Sequence, residues 1–236
     1  MEGLARGLNR AAEACQHPER PFVTLSYAQS IDGSIATRRR RPLPISGPAS
    51  MRMTHGLRAL HDAILIGIET VLADDPQLSV RLVQGPHPQP VVLDTYLRTP
   101  CGARLLQRKD CRSWLVGAVD NPVDRVAAVT DAGAEVLPCR REEENGWLDL
   151  HQTLRILHER GIRRLMVEGG ARVITSFIRL QLVDLFIITI APKLIGGLQV
   201  MTAPPNGAEA PMALTEIYYE SLENDLVLWA RPDWRA

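Results

Sequence analysis

The chain has 236 residues, 45% apolar and 23% charged, with 27 acidic and 27 basic side chains and a formal net charge of zero. That length suffices for one large domain burying roughly 70% of the surface its unfolded chain would expose. Balanced charge excludes a broad basic face that binds nucleic acid by counterion release, and no stretch approaches the ~18 apolar residues of a membrane helix, so neither nucleic acid nor membrane is an expected partner.

Residues 4–16 carry an amphipathic helical pattern and Pro18 and Pro21 follow, so residues 1–20 are expected to form a helical appendage on a single domain spanning 21–236. The acids of this start and its lack of a continuous apolar run do not fit a secretory signal peptide. Phe22–Ala28 reads as the first strand and Ser30-Ile31-Asp32-Gly33 as a turn. Arg38–Arg41, with Pro42 and Pro44, makes a stiff polar loop whose plain interpretation is solvated surface. Ser46 before Gly47 and Pro48 has the form of an N-cap, opening a helix through about His61. The run Ala63–Ile68 is short and β-branched, as a strand buried on both faces should be.

Pro90–Asp94, Ser113–Val119 and Glu135–Leu137 continue as strands, with a helix over Val123–Ala132. Leu150, Leu154 and Leu157 stand at i, i+4 and i+7 on a helix that ends before Gly161. Strand Arg164–Val167 meets Glu168-Gly169-Gly170, a helix follows, and Leu185–Ile190 is again a strand. Leu214–Ser221 and Leu226–Ala230 flank Leu222-Glu223-Asn224-Asp225 as an antiparallel hairpin. The expected fold class is α/β, a mostly parallel central sheet with an antiparallel C-terminal hairpin and helices on both faces. Cys15, Cys101, Cys111 and Cys139 have no C-x-x-C spacing and fit free thiols in a reducing, cytoplasmic setting.

Ligands of open α/β sheets collect beyond the carboxyl ends of the strands, and two stretches carry polar residues there. In residues 61–81 a buried strand runs into Thr70, Asp74-Asp75-Pro76 and Arg81. This is either the lip of an active site or a helix end and turn. In residues 163–177 a strand ends at Glu168, two glycines permit close backbone approach, and a helix begins whose free N–H groups can hold a pyrophosphate. The spacing is not G-x-G-x-x-G, so an ordinary strand-to-helix turn stands beside that possibility. Glu168 is costly to bury unpaired and should face a partner or a ligand.

The segments FVTLSYAQSIDGSIA (22–36), MTHGLRALHDAILIGIETVLADDPQLSVR (53–81), VVLDTYLRTP (91–100), LMVEGG (165–170) and VDLFIITIAPKLIGG (183–197) resemble the riboflavin-biosynthesis pyrimidine reductase family, whose fold is similar to dihydrofolate reductase. The resemblance covers residues 21–231 and leans toward the stand-alone reductases of fungi and archaea. It implies NADPH-dependent reduction of a ribosylamino-pyrimidine 5′-phosphate to the ribitylamino form, by a cytoplasmic homodimer. Carried over position by position, it puts NADPH against Ala28, Gln29, Ile45, Thr70, Asp74, Thr95 and the run Gly169, Gly170, Ala171, Arg172, Val173, Ile174, Thr175, Ser176. Substrate would meet Arg58, Leu78, Arg81 and Glu168, the two arginines suiting a phosphomonoester. Glu168, through hydrogen bonds to the pyrimidine or ribityl groups, and Asp74, near the nicotinamide or relaying a proton, are the catalytic candidates. A structural cap is the other interpretation of Asp74.

Family members often have a serine and a tryptophan before an Ile-Thr pair near residue 45, where this chain has Pro42, Pro44 and Ile45-Ser46. Arg38–Arg41 sits in the same loop and offers a substitute contact or a seat for a cofactor 2′-phosphate. The zinc deaminase fused to many relatives needs H-x-E and P-C-x-x-C. His17-Pro18-Glu19 matches the first, but Arg104 follows Pro100-Cys101 where the second cysteine belongs, so no metal is expected and deamination falls to a separate protein. Two other functions stay open: a reductase of the same fold acting on a pterin or a specialised metabolite, and a non-catalytic nucleotide-binding module.

Overall fold

A computed structural model describes residues 2–14, 17–37, 43–201 and 212–234; Cys15, Arg38–Arg41 and Pro42 lie outside them. Along the chain run α1 (Glu2–Glu13), β1 (Phe22–Ser30), β2 (Ser34–Ala36), α2 (Pro48–Ala59), β3 (Ala63–Gly67), α3 (Ile68–Asp74), β4 (Gln89–Leu93), β5 (Ser113–Ala118) and α4 (Val123–Asp131). They are followed by β6 (Ala134–Cys139), α5 (Leu150–Glu159), β7 (Arg164–Val167), α6 (Ala171–Arg179), β8 (Leu185–Ala191), β9 (Leu198–Gln199), β10 (Ala213–Leu222) and β11 (Asp225–Asp233).

Nine strands form one sheet in the order β10-β11-β8-β1-β7-β3-β4-β5-β6. Neighbours from β8 to β6 run parallel, whereas β11 lies antiparallel to β8 and β10 antiparallel to β11. The mostly parallel sheet with an antiparallel C-terminal hairpin is therefore present as expected. Connection length explains it. Parallel strands need long crossovers, while Glu223 and Asn224 alone join β10 to β11, which only an antiparallel pair allows. The central β3 is buried along its whole length, which is why Ala63–Gly67 contains no polar side chain.

Strand alternation sends apolar residues to both faces. Leu25, Leu65, Val167 and Phe186 pack under α5 and α6 with Leu154, Ile174 and Phe177. On the other face Ile64, Ile66 and Leu115 meet Val71 of α3 and Val129 of α4, and Phe22, Met166 and Ile187 meet Leu8 of α1 and Leu57 of α2. The N-terminal helix thus buries Leu8 completely in the main body. Asp184, 5% exposed, fixes the chain entering β1: it accepts from two nitrogens of Arg20 at 2.7 and 2.8 Å, from the Val23 N–H at 2.8 Å and from His17 Nε2 at 2.8 Å. Burial works against its charge, but these donors prevail and hold its pKa below the ordinary carboxylate value.

Two local expectations are corrected. The N-cap of α2 is Gly47 rather than Ser46, and no side chain at the cap bonds the helix. Asp225, at the start of β11, accepts instead from the Gly47 N–H at 2.7 Å and from Ser50 Oγ at 2.6 Å, a helix start satisfied from 178 residues away. The strand expected through Ile68 stops at Gly67, and α3 begins at once. The short pair β2 and β9 was not foreseen; residue 197 must be glycine for it, because a Cβ there would lie 1.9 Å from the Ala36 carbonyl oxygen.

Two buried imidazoles tie α2 to its neighbours. His61 donates from Nδ1 to the Leu57 carbonyl at 2.7 Å and accepts at Nε2 from Thr24 Oγ1 at 2.8 Å; His55 Nδ1 accepts from the Arg81 N–H at 2.9 Å. Burial lowers both pKa values to about 4, with the Arg58 and Arg81 charges adding to the effect at His55. In the unfolded chain each would titrate near 6.5, so the unfolded state takes up protons first on acidification. Their contribution is fully present above pH 6.5 and falls as the pH drops toward 4, by about 1.4 kcal/mol per pH unit for each imidazole within that window. Denaturant unfolding between about pH 7 and pH 4.5 measures the slope, which His61→Gln should reduce by about one proton. An unchanged slope in that variant would show that His61 is not buried neutral.

Candidate active site

Strands β1, β7, β3 and β4 are parallel and adjacent, so their carboxyl ends share one edge of the sheet. A cleft of about 980 Å³ lies along that edge. Its size matches the upper range of small-molecule sites. One end is walled by Ala28 of β1 and by Ile45 and Ser46 of the loop entering α2. In the middle, Thr70 and Asp74 of α3 face the turn from β7 into α6, and Thr95, Tyr96, Arg98 and Trp147 line the other end.

The first end is held by a clamp that local sequence patterns do not reveal. Lys193 Nζ donates to the carbonyl oxygens of Pro44 at 2.8 Å and Ile45 at 2.6 Å, fixing the loop that walls the cleft. Asp32 fixes the segment after Lys193 in turn. It accepts from Ser30 Oγ at 2.5 Å, Ser34 Oγ at 2.9 Å, the Ile195 N–H at 3.0 Å and the Gly196 N–H at 2.7 Å. These donors, Ser30 foremost, hold the Asp32 carboxyl well below the usual carboxylate range.

In the middle, Gly170 is the N-cap of α6 and no side chain caps the first turn. A Cβ on Gly169 would lie 2.6 Å from Val173 Cβ, and one on Gly170 would reach Thr70 Oγ1 at 3.4 Å. Glycine is thus required at 169 against Val173, whereas a Cβ at 170 would make ordinary contact with α3. The first-turn N–H groups and the positive end of the helix dipole suit an anion there.

Glu168 has the partner its burial demands. Arg58, in the last turn of α2, donates from Nε to one carboxylate oxygen at 2.7 Å and from Nη2 to the other at 2.6 Å, with both side chains 14% exposed. Burial opposes the Arg58 charge, and Glu168 more than offsets it, so its pKa is raised. Arg58 and Arg81 converge on Ser79: Arg58 Nη1 donates to its carbonyl at 3.4 Å and Arg81 Nη1 to its hydroxyl at 2.9 Å. Desolvation, then the nearby Arg58 and Arg104 charges, lowers the Arg81 pKa. The neighbourhood of Arg81 is short of negative charge, which a bound phosphate would supply.

Of the residues singled out from sequence, the cleft brings together Ala28, Ile45, Arg58, Thr70, Asp74, Thr95, Glu168 and the stretch from Gly169 to Ser176 except Thr175. Four do not line it. Gln29, one residue beyond Ala28, faces the opposite way into a hollow of about 290 Å³ shared with Ile188 and Met201. Leu78, at φ 52° and 2% exposed, packs its side chain in the core beside Leu97 and Leu105. Thr175 Oγ1 lies 2.7 and 2.6 Å from the carbonyls of Ala171 and Val200. Arg81 reaches the cleft only through Ser79 and its closeness to Arg58. Asp74 lies at the rim, where desolvation raises its pKa. The capping role offered as its alternative belongs to Asp75, the C-cap of α3 at φ 40°, whose carboxylate accepts from the Arg104 N–H at 2.8 Å. Tyr96, Trp147 and Lys193 were missed; Lys193 alone had a signal, as one of two lysines in the sequence.

The chain is similar to known proteins in sequence and fold. The RibD C-terminal domain model matches residues 21–228. The 2,5-diamino-6-ribosylamino-4(3H)-pyrimidinone 5′-phosphate reductase of Methanothermobacter thermautotrophicus is 40% identical over 187 residues, 78% of this chain and 83% of that protein. The riboflavin biosynthesis protein RibD of Aquifex aeolicus is 32% identical over 230 residues; these are 97% of this chain but 62% of RibD, so the chain spans less than two thirds of that relative. The Saccharomyces cerevisiae riboflavin biosynthesis reductase Rib7 superposes with a TM-score of 0.77 at 29% identity, over 96% of this chain and 97% of that one. Dihydrofolate reductase from Enterococcus faecalis, at TM-score 0.50 and 11% identity over 90% of this chain and 96% of its own, shares the fold alone. On these grounds the chain belongs to the RibD C-terminal domain family.

Proposed function

We propose that the chain reduces a ribosylamino-pyrimidine 5′-phosphate to its ribitylamino form in riboflavin biosynthesis, with NADPH as the reductant. The observation that carries this reading is a single cleft in which an uncapped glycine-turn helix start stands beside the partly buried Arg58–Glu168 pair, with Arg81 next to it. Relatives named as that reductase support the substrate class.

When bound, the nicotinamide supplies a hydride, which the C1′ imine of the opened ribosylamine can accept. The chain's own residues hold the reactants and shape the surroundings. The first-turn N–H groups of α6 and Thr70 would hold the pyrophosphate. Ala28 and the loop fixed by Lys193 would wall the reacting end and exclude water. Arg81, with Ser79, would take the substrate phosphate. Glu168, its carboxylate aligned by two bonds from Arg58, keeps a fixed negative charge where substrate amines and hydroxyls would lie. Asp74, at the rim of the same cleft, would position the nicotinamide or relay a proton. A cytoplasmic homodimer belongs to the same reading, with the exposed Ile217, Tyr218 and Tyr219 of β10 as its apolar surface, and deamination is assigned to a separate protein.

Purified protein with NADPH and the diaminopyrimidine ribosylamine phosphate should oxidise the cofactor, and dihydrofolate should not replace the pyrimidine. Glu168→Gln should lower kcat/KM on the order of 100-fold while the circular dichroism spectrum is kept. Wild-type activity in that variant would remove Glu168 from the site. Lys193→Met takes away two charge-assisted bonds and should raise the cofactor KM about tenfold with a smaller loss of kcat, Lys193→Arg restoring part of it. A change in melting temperature with unaltered KM would make Lys193 purely structural.

A further inference from the structure

Residues 76–81, between α3 and β4, belong to no helix or strand, yet they carry Arg81, the proposed phosphate contact. A segment outside any ladder must find partners for its main chain elsewhere. Here side chains supply them. The Leu78 carbonyl accepts from Arg108 Nη1 at 2.9 Å and the Ser79 carbonyl from Arg58 Nη1 at 3.4 Å, while the Val80 N–H donates to His87 Nδ1 at 3.1 Å and the Arg81 N–H to His55 Nδ1 at 2.9 Å.

The two imidazoles differ in setting. His87 is exposed, whereas His55 is 2% exposed and stands at i to the i+3 of Arg58 on one face of α2. The helix therefore grips the segment at two neighbouring points, with an acceptor at His55 and a donor at Arg58. The chain beyond lies on the same helix, since a Cβ on Gly85, at φ 151°, would come 2.6 Å from Ala59 Cβ. Arg58, Arg81 and Glu168 are the charges that act on the His55 ring. Burial first, and then the two guanidinium groups, keep it neutral against the opposing pull of Glu168, and only a neutral ring has a lone pair for the Arg81 N–H.

Arg81 is thus tethered at both ends. His55 fixes its main chain, and Ser79 Oγ, 2.9 Å from Nη1, fixes its guanidinium, although the residue as a whole is exposed. A side chain tethered in this way loses less conformational freedom on meeting an anion than one on a free loop. We propose that His55 is a positioning residue for the substrate phosphate: through the Arg81 N–H it sets where the Arg81 guanidinium meets a phosphomonoester, without touching the substrate itself. The role rests on Arg81 as the phosphate contact but not on the identity of the pyrimidine.

Ribose 5-phosphate, titrated into the full chain by calorimetry, is the probe. His55→Leu removes the acceptor and should weaken its binding roughly tenfold, whereas His55→Asn, whose Oδ1 can replace Nδ1 as acceptor, should stay within about threefold of wild type. Because His55 acts through Arg81, adding His55→Leu to Arg81→Ala should cause no further loss. In turnover, His55→Leu should raise the KM of the phosphorylated pyrimidine about tenfold with kcat within about twofold, and leave the KM of the dephosphorylated compound unchanged. Where His55→Leu does not fold, His55→Ala compared with His55→Asn decides the same point. Equal ribose 5-phosphate affinity in wild type and His55→Leu overturns the role, as do additive losses in the double variant or an equal rise in KM for both compounds. Ribose 5-phosphate binding that depends on His55, without NADPH oxidation on the pyrimidine, would keep the role and remove the proposed reaction, so the two failures are distinguishable.

Discussion

Everything in the cleft depends on how closely α6 can approach β3. Val173 is the contact: a Cβ on Gly67 would come 2.7 Å from Val173 Cγ2, and one on Gly169 would come 2.6 Å from Val173 Cβ. Both glycines have ordinary negative φ, so they are there for space and not for backbone freedom. With Val173 seated against the sheet, the start of α6, the start of α3 and the end of β7 are drawn to one spot. Thr70 and Glu168 follow as consequences of that packing. A larger side chain at either glycine would open the space between helix and sheet and spread the groups that an anion needs together.

The Arg58–Glu168 pair is better understood as placement than as stabilisation. Replacing a buried ion pair by well-fitted apolar residues is often neutral or favourable, so its presence says little about stability. What it does is hold a carboxylate in one orientation at the end of β7, with the guanidinium supplied from α2. The same helix carries His55, whose neutral ring accepts the Arg81 N–H and so sets the position of residue 81 relative to Arg58. One helix thus orders a carboxylate and two guanidinium groups across 110 residues of sequence. His55 can do this only unprotonated, which its low pKa secures at neutral pH.

Most of the sheet was legible from sequence because its signals are local. Branched apolar runs such as Ala63–Gly67, the i, i+4, i+7 leucines of α5 and the short turn at Glu223-Asn224 each specify an element by themselves. The glycine turn after Glu168 was legible for the same reason. What escaped were contacts whose two halves lie far apart: Asp225 serving the start of α2, Asp32 and Lys193 joining three loops, and Trp147 on Arg172. Leu78 and Gln29 show the complementary error. Gln29 sits beside Ala28, yet strand alternation turns it to another hollow, and Leu78 is buried in the core at a positive φ. A residue's neighbourhood in sequence indicates where its backbone passes, not which way its side chain faces.

The two ends of the cleft are supported in different ways. Around Ala28 and Ile45 the walls are fixed by polar contacts from three segments, including four donors on Asp32 and two carbonyls on Lys193. The bonds made by Lys193 and by the Ile195 and Gly196 N–H groups join segments far apart in sequence and form only in the folded chain, so this end inherits the order of the core. Around Tyr96 and Trp147 the support is one short reversal and two ring–cation contacts, all exposed in part. That end can change its residues without disturbing the sheet.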